Sequence, residues 1–275
     1  MTTEYVIILL ATGLAVGFAS GLLGLGGAFI MTPVQVAVFM GMGLPTDMAV
    51  KLAFGTTLLV ILPTTASGAW RHHKKGAVWW KAAFVMGACG LLGGVGGATL
   101  STSYLDGSAL KIAFGSVALL AAAWMLVARL PAIEEQPRGY PLLWVALSLP
   151  VGVVTGMLGV GGGVLTIPML TLALKFQIHK AIATSLAIIV FTSLGGILGY
   201  IVNGWNVPGL PPYSIGYINL LVWLLLAIPS TAMAQFGAVI AHRLSARYIK
   251  YIFIAIMVYM GLRMLGVFEW LGWPL

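Results

Sequence analysis

The sequence predicts an all-α integral membrane protein built from two inverted-topology repeats, on three observations: its composition, the length of its apolar runs, and a duplicated glycine-rich segment. Of 275 residues, 60% are hydrophobic and 7% are charged, whereas a soluble domain carries roughly a quarter charged and under half apolar. That balance excludes a water-soluble fold. The apolar runs repeatedly reach the roughly 20 residues that a helix needs to cross about 30 Å of hydrocarbon. A net charge of +8 would suit nucleic acid, but the basic residues sit in short connections between the runs. That is a topology pattern, so the expected partners are a lipid bilayer and a small solute, with no nucleic acid.

The duplication is read directly. Val16 to Pro33 is VGFASGLLGLGGAFIMTP and Val151 to Pro168 is VGVVTGMLGVGGGVLTIP, 135 positions later, with eight of eighteen residues identical. Thr56-Thr57-Leu58 is echoed by Thr184-Ser185-Leu186, and Thr64-Thr65 by Thr192-Ser193. Leu110-Lys111 and Ile249-Lys250 open the last long helix of each half. Three echoes in the same order mark a duplicated unit. Residues 1–129 are then a first transmembrane repeat, 130–140 a linker loop, and 141–275 a second, inverted repeat.

In the first half, the run 5–24 follows Glu4 and lacks a basic leader and a small-residue cleavage site, so it reads as a retained helix. Segment 28–44 follows the first Gly cluster. Segment 47–69 carries the Thr echoes and Pro63, 77–100 holds Cys89 in a Gly-rich stretch suited to packing, and 109–129 opens at Leu110-Lys111. The polar stretch Arg129 to Tyr140 ends the half. The second half repeats the order with 141–159, 163–175, 179–202, 215–241 (holding Pro229 and Gln235) and 246–271 (holding Arg263). One cysteine allows neither an intrachain disulfide nor a thiolate metal site.

Glycine tolerates φ > 0 and weakens a helix interior by about 1 kcal/mol, so both Gly clusters are natural break points. Small residues also pack membrane helices, which would leave each helix unbroken. Charge decides between the two. If the chain turns back at each cluster, eleven of the fourteen basic residues fall on one side of the membrane, and the other side receives only Lys51 and Lys111. An unbroken helix would send the basic loop 243–250 outward, against the positive-inside rule. The hairpin reading places both termini outside the cytoplasm and gives each half an odd number of crossings. Whether the hairpins cross fully or turn at mid-membrane stays open.

Two inverted hairpins should bring their turns together near the midplane, where many secondary transporters bind substrate. Helices starting near Ala28 and Val164 offer free N–H groups and a partial positive charge, a combination that suits an anion. The candidate substrate-binding residues are Gly26, Gly27, Ala28, Gln35, Thr56, Thr57, Gly161, Gly162, Gly163, Thr184, Ser185, Gln235 and Arg263. Each has a plainer reading: glycines pack, hydroxyls bond their own helix, Gln235 bonds a neighbouring helix, and Arg263 snorkels outward toward Glu269. His72 and His73 sit beside Arg71, Lys74 and Lys75 in a solvated loop. No carboxylate lies mid-span, which disfavours a cation carrier or a carboxylate proton relay. No nucleophile–base pair or metal-ligand set is present for an intramembrane enzyme, so neither catalysis nor a cofactor is expected.

The pair GLLGLGGAFIMTP and GMLGVGGGVLTIP, each followed by a TTL or TSL element, resembles the sulfite exporter TauE/SafE family, also called the transmembrane sulfite exporter or four-toluene sulfonate uptake permease group. The likeness covers nearly the whole chain. It implies carriage of sulfite, sulfate or an organosulfonate such as sulfoacetate, without a cofactor, across the cell inner membrane, and it carries over to Gly26, Gly27, Gly161, Gly162, Gly163, Thr184 and Ser185. The first copy departs from the pattern, with Ala28 where the second has Gly163 and Thr57 where it has Ser185. An alternating-access carrier is the expected function, with an anion channel or a structural membrane subunit as alternatives. Substrate, direction, coupling ion and a homodimer are left open.

Overall fold

A computed structural model describes residues 2–23, 27–127, 141–240 and 246–271. The linker 130–140, the loop residues Arg129 and Arg243, and the first-turn residue Gly26 lie outside these. The described residues form helices α1 (Thr3–Leu23), α2 (Ala28–Gly41), α3 (Thr46–Lys74), α4 (Trp80–Ser103) and α5 (Gly107–Val127) in the first half. The second half has α6 (Pro141–Leu158), α7 (Gly163–Pro168), a π-helical turn (Met169–Ala173), α8 (Ile178–Gly204), α9 (Leu220–Ile240), α10 (Ala246–Met264) and a last turn α11 (Val267–Trp270). The described residues contain no strand, only an isolated bridge between Ser214 and Asn219. Among them six helices, α1, α3, α4, α5, α6 and α8, are long and apolar enough to cross a membrane, and the apolar stretches Ala28–Gly41, Leu220–Phe236 and Ile254–Met264 are shorter. The chain is an all-α, multi-pass integral membrane protein.

Local chemistry sets the boundaries that the sequence left uncertain. Asp106 Oδ1 accepts from Ala109 N at 3.0 Å and starts α5. Asn219 Oδ1 accepts from Val222 N at 2.9 Å, so α9 begins at an Asn cap, five residues later than the apolar run suggests. Segment 163–175 is interrupted: Pro168 lacks an N–H, and the chain passes into a π turn immediately after it. Its counterpart α2 runs through Pro33 without that change. The run 246–271 breaks at Gly266, which has φ +75°.

Each Gly cluster reverses the chain. In a straight helix residues 16 and 27 would lie about 16 Å apart, yet a Cβ on Gly27 would touch the side chain of Val16. Gly27 (φ 69°) and Gly162 (φ 78°) are left-handed residues that open α2 and α7, with no side chain capping either helix.

The helices pack reciprocally across the halves. α1, the first helix of its half, lies against α9, the fourth of the other, and α6 lies against α4 in the same relation. α3 pairs with α8 and α5 with α10. Small residues make these seams: a Cβ on Gly17 would strike the Ser230 backbone, and α4 is held between α6 and α8 through Gly90, Gly93, Gly94, Gly97, Gly152, Gly156 and Gly195. α3 and α8, the most enclosed spans, form the centre.

Candidate functional site

The candidate site lies where α3 and α8 cross. They run antiparallel: a Cβ on Gly68 would meet Leu186, and one on Gly196 would meet Leu58. Ile61 of α3 therefore stands level with Ser193 of α8, near the middle of both helices. The second Gly turn rests on the same stretch of α3, Gly159 against Phe54 and Gly161 against Ile61. Gly162 must lack a side chain because a Cβ there would lie 2.7 Å from Thr155 Oγ1.

Thr57, one turn from Ile61 on α3, faces the other hairpin. Its Oγ1 accepts from Gln35 Nε2 at 2.7 Å and lies 3.1 Å from Thr32 Oγ1, and all three side chains are fully buried. Gln35 Oε1, Thr155 Oγ1 and Ser193 Oγ are buried too, and make no hydrogen bond to any described residue. Other hydroxyls on these helices escape that state by bonding a carbonyl three or four residues back, as Thr65 does to Ile61 O, Thr192 to Ile188 O and Ser148 to Trp144 O.

The residues expected to bind substrate separate into groups. Gln35 and Thr57 come together in this cluster. Gly161, Gly162 and Gly163 form the turn beside it, while Gly27 and Ala28 begin α2 against α1. Thr56 and Thr184 do related structural work: Thr56 Oγ1 accepts from Asn219 N at 2.9 Å at the start of α9, and Thr184 Oγ1 accepts from Trp79 N at 3.1 Å at the start of α4. Each ties the third helix of one half to the fourth of the other. Ser185 donates to Ile182 O of its own helix. Gln235 Nε2 donates to Ser67 Oγ at 2.8 Å, joining α9 to α3 beside an open apolar groove of about 500 Å3 that also holds Pro63 and Trp223. Leu224 and Ile228 on its rim are exposed, so the groove faces lipid. Arg263 is half-buried in the last turn of α10.

Removing the acceptor from either cross-half tie strands a backbone N–H, which costs about 1–3 kcal/mol. Thr56→Val and Thr184→Val should each lower the melting temperature of the detergent-solubilised protein by several degrees, with Ser185→Ala close to neutral. Equal melting temperatures for all three would refute the tie.

Sequence reasoning missed Thr32, Thr155 and Ser193, whose significance lies in what they do or do not bond. It also missed Lys51. That side chain is 8% exposed, pairs with Asp47 Oδ2 at 2.9 Å and donates to Thr102 O at 3.2 Å, clasping the ends of α3 and α4. Nearby, Tyr217 in the α8–α9 connection has its phenol pushed above its ordinary pKa by burial and then by the Asp47 charge. Among the described residues no group of three or more His, Cys, Asp or Glu could hold a metal ion.

Comparison with known proteins agrees with this architecture. The family model described as sulfite exporter TauE/SafE matches residues 9–264. A probable membrane transporter protein of Methanocaldococcus jannaschii is 30% identical over 262 residues, covering 94% of each chain. One from Haemophilus influenzae is 28% identical over 254 residues, covering 90% of this chain and 92% of its own. A third, from Bacillus subtilis, is 25% identical over 283 residues, covering 96% and 99%. No solved structure matches the chain. With the family model matching residues 9–264, from α1 to α10, and a relative covering 94% of the chain, the chain belongs to the sulfite exporter TauE/SafE family of membrane transporters.

Proposed function

We propose that this membrane transporter is a secondary carrier of a small anion, a sulfur oxyanion or organosulfonate, working by alternating access about the α3–α8 crossing. The observation that carries the reading is the buried Thr32–Thr57–Gln35 cluster beside the second Gly turn, near the middle of α3, one of the two most enclosed helices. Hydroxyls and amides at that depth can bind one negative charge without a compensating buried cation. The family model's description supports the substrate class, and the reciprocal pairing of α1 with α9 and α6 with α4 supports two inverted halves rocking against each other. In this reading the protein lies in the cell inner membrane with both termini outside the cytoplasm, and acts as a carrier without catalysis or cofactor.

Counterflow in proteoliposomes tests it. Vesicles preloaded with unlabelled sulfite should draw in labelled sulfite transiently and saturably. Gln35→Leu should cut the rate about tenfold or more, the loss expected from removing a hydrogen bond to a charged group. Flux without saturation or counterflow would indicate a channel, and no flux of any oxyanion would sink the anion reading.

A further inference from the structure

Three of the four buried side-chain polar atoms without a partner among the described residues, Gln35 Oε1, Thr155 Oγ1 and Ser193 Oγ, lie on helices that pack around the α3–α8 crossing. Ser193 is level with Ile61, against which Gly161 packs. Thr155 lies against Gly162, and its neighbour Gly156 approaches Gly196, one turn from Ser193. Gln35 is held by Thr57, one turn along α3 from Ile61. A buried polar group with nothing to bond costs about 1–3 kcal/mol, and a hydroxyl in a helix can avoid that cost by bonding its own backbone. Thr192, next to Ser193, does so. Thr155 and Ser193 do not.

We infer that Thr155, Ser193 and Gln35 form the polar cradle of the substrate, and that it takes a monovalent oxyanion carrying one hydrogen-bond donor of its own, of the hydrogen-sulfite type. The chemistry follows from what each atom lacks. The two hydroxyls can donate to negatively charged oxygens. Gln35 uses Nε2 on Thr57, so the free end of its amide is an acceptor that repels a bare anionic oxygen and welcomes an O–H or N–H. Lys51, the buried cation among the described residues, is engaged by Asp47 and Thr102 near the beginning of α3, more than two turns from Ile61. A dianion would therefore enter mid-membrane without a counter-charge, at a high desolvation cost. A monoanion with its own donor satisfies all three groups.

The inference rests on the anion-carrier reading, and one experiment separates the two. Melting shifts of the full-length protein in detergent are measured with sodium sulfite at pH values below and above the ligand's second ionisation, and with methanesulfonate, a monoanion that lacks a donor. The wild type should be stabilised by sulfite at the lower pH, much less at the higher pH, and little by methanesulfonate. Thr155→Val and Ser193→Ala should keep or raise the melting temperature without ligand, because each removes an unsatisfied polar group, while weakening sulfite roughly ten- to a hundredfold. Gln35→Met should abolish the preference for sulfite over methanesulfonate. A lower ligand-free melting temperature with sulfite binding retained would mean that the hydroxyls hold structural water, and would overturn the proposal. So would wild-type protein that binds methanesulfonate as well as sulfite, which would mean that Gln35 meets the anion through Nε2. If neither anion stabilises the wild type at either pH, the anion-carrier reading falls with it.

Discussion

Replacing Gly94 by leucine should abolish the folded protein. A Cβ at this position would stand 2.6 Å from Thr192 O and 3.0 Å from Gly196 N of α8, while the opposite side of Gly94 receives the backbone of Gly156 in α6. All the nearest atoms are backbone, so no side chain can rotate away, and the added leucine must push the packed helices apart. Ordinary overpacking costs about 1–3 kcal/mol. Opening both seams also forfeits much of the close contact that replaces the hydrophobic effect between helices in lipid, against a total stability of only about 5–15 kcal/mol. Size-exclusion chromatography of detergent extracts should show the monodisperse peak lost. Gly96→Leu, two residues along the same helix, meets nothing within 4 Å and should leave the peak unchanged. The same behaviour from both variants would show that the seam is not the constraint.

Gly162→Val should remove transport while leaving much of the protein folded. Its φ of 78° costs a residue with a Cβ about 1–2 kcal/mol, and the new side chain would collide with Thr155 Oγ1. The turn must then shift against Ile61, moving the start of α7 and the Thr155 hydroxyl away from the α3–α8 crossing. Displacements of about 1 Å at a binding site can cost about a hundredfold in rate, so counterflow should fall by about that factor. Gly76→Val is the control: it has φ +66° but nothing within 4 Å, and carries comparable backbone strain far from the crossing. If both variants transport equally, the second Gly turn does not shape the site.

The features of this molecule that follow local rules were legible in the sequence. Both chain reversals come from glycines that alone adopt left-handed φ cheaply, and the charge pattern chose the hairpin because Lys and Arg distribute by topology. The start of α9 was not legible, since Asn219 caps it through a loop that folds back between Pro212 and Ser214. Thr56 and Thr57 show the limit within the site. They are adjacent and alike in sequence, yet one faces Asn219 across the halves and the other faces Gln35, a distinction set by the roughly 100° between successive helical residues and by which helices surround α3. Thr155 and Ser193 could not have been singled out at all, because a hydroxyl that bonds its own helix and one that bonds nothing look identical in a sequence.

Reciprocal packing also orders the chain's assembly in time. α4 already exists when α6 is synthesised, so that pair can close at once. α1 must wait for α9, about 200 residues later, which at roughly 5–20 residues per second is an interval of roughly 10 to 40 s. During that time α1 stands in lipid with the faces of Gly13 and Gly17 uncovered. A nascent chain stalled before α9 would display this small-residue groove to the bilayer, and with it a ready mark for the proteases that clear unfinished membrane proteins.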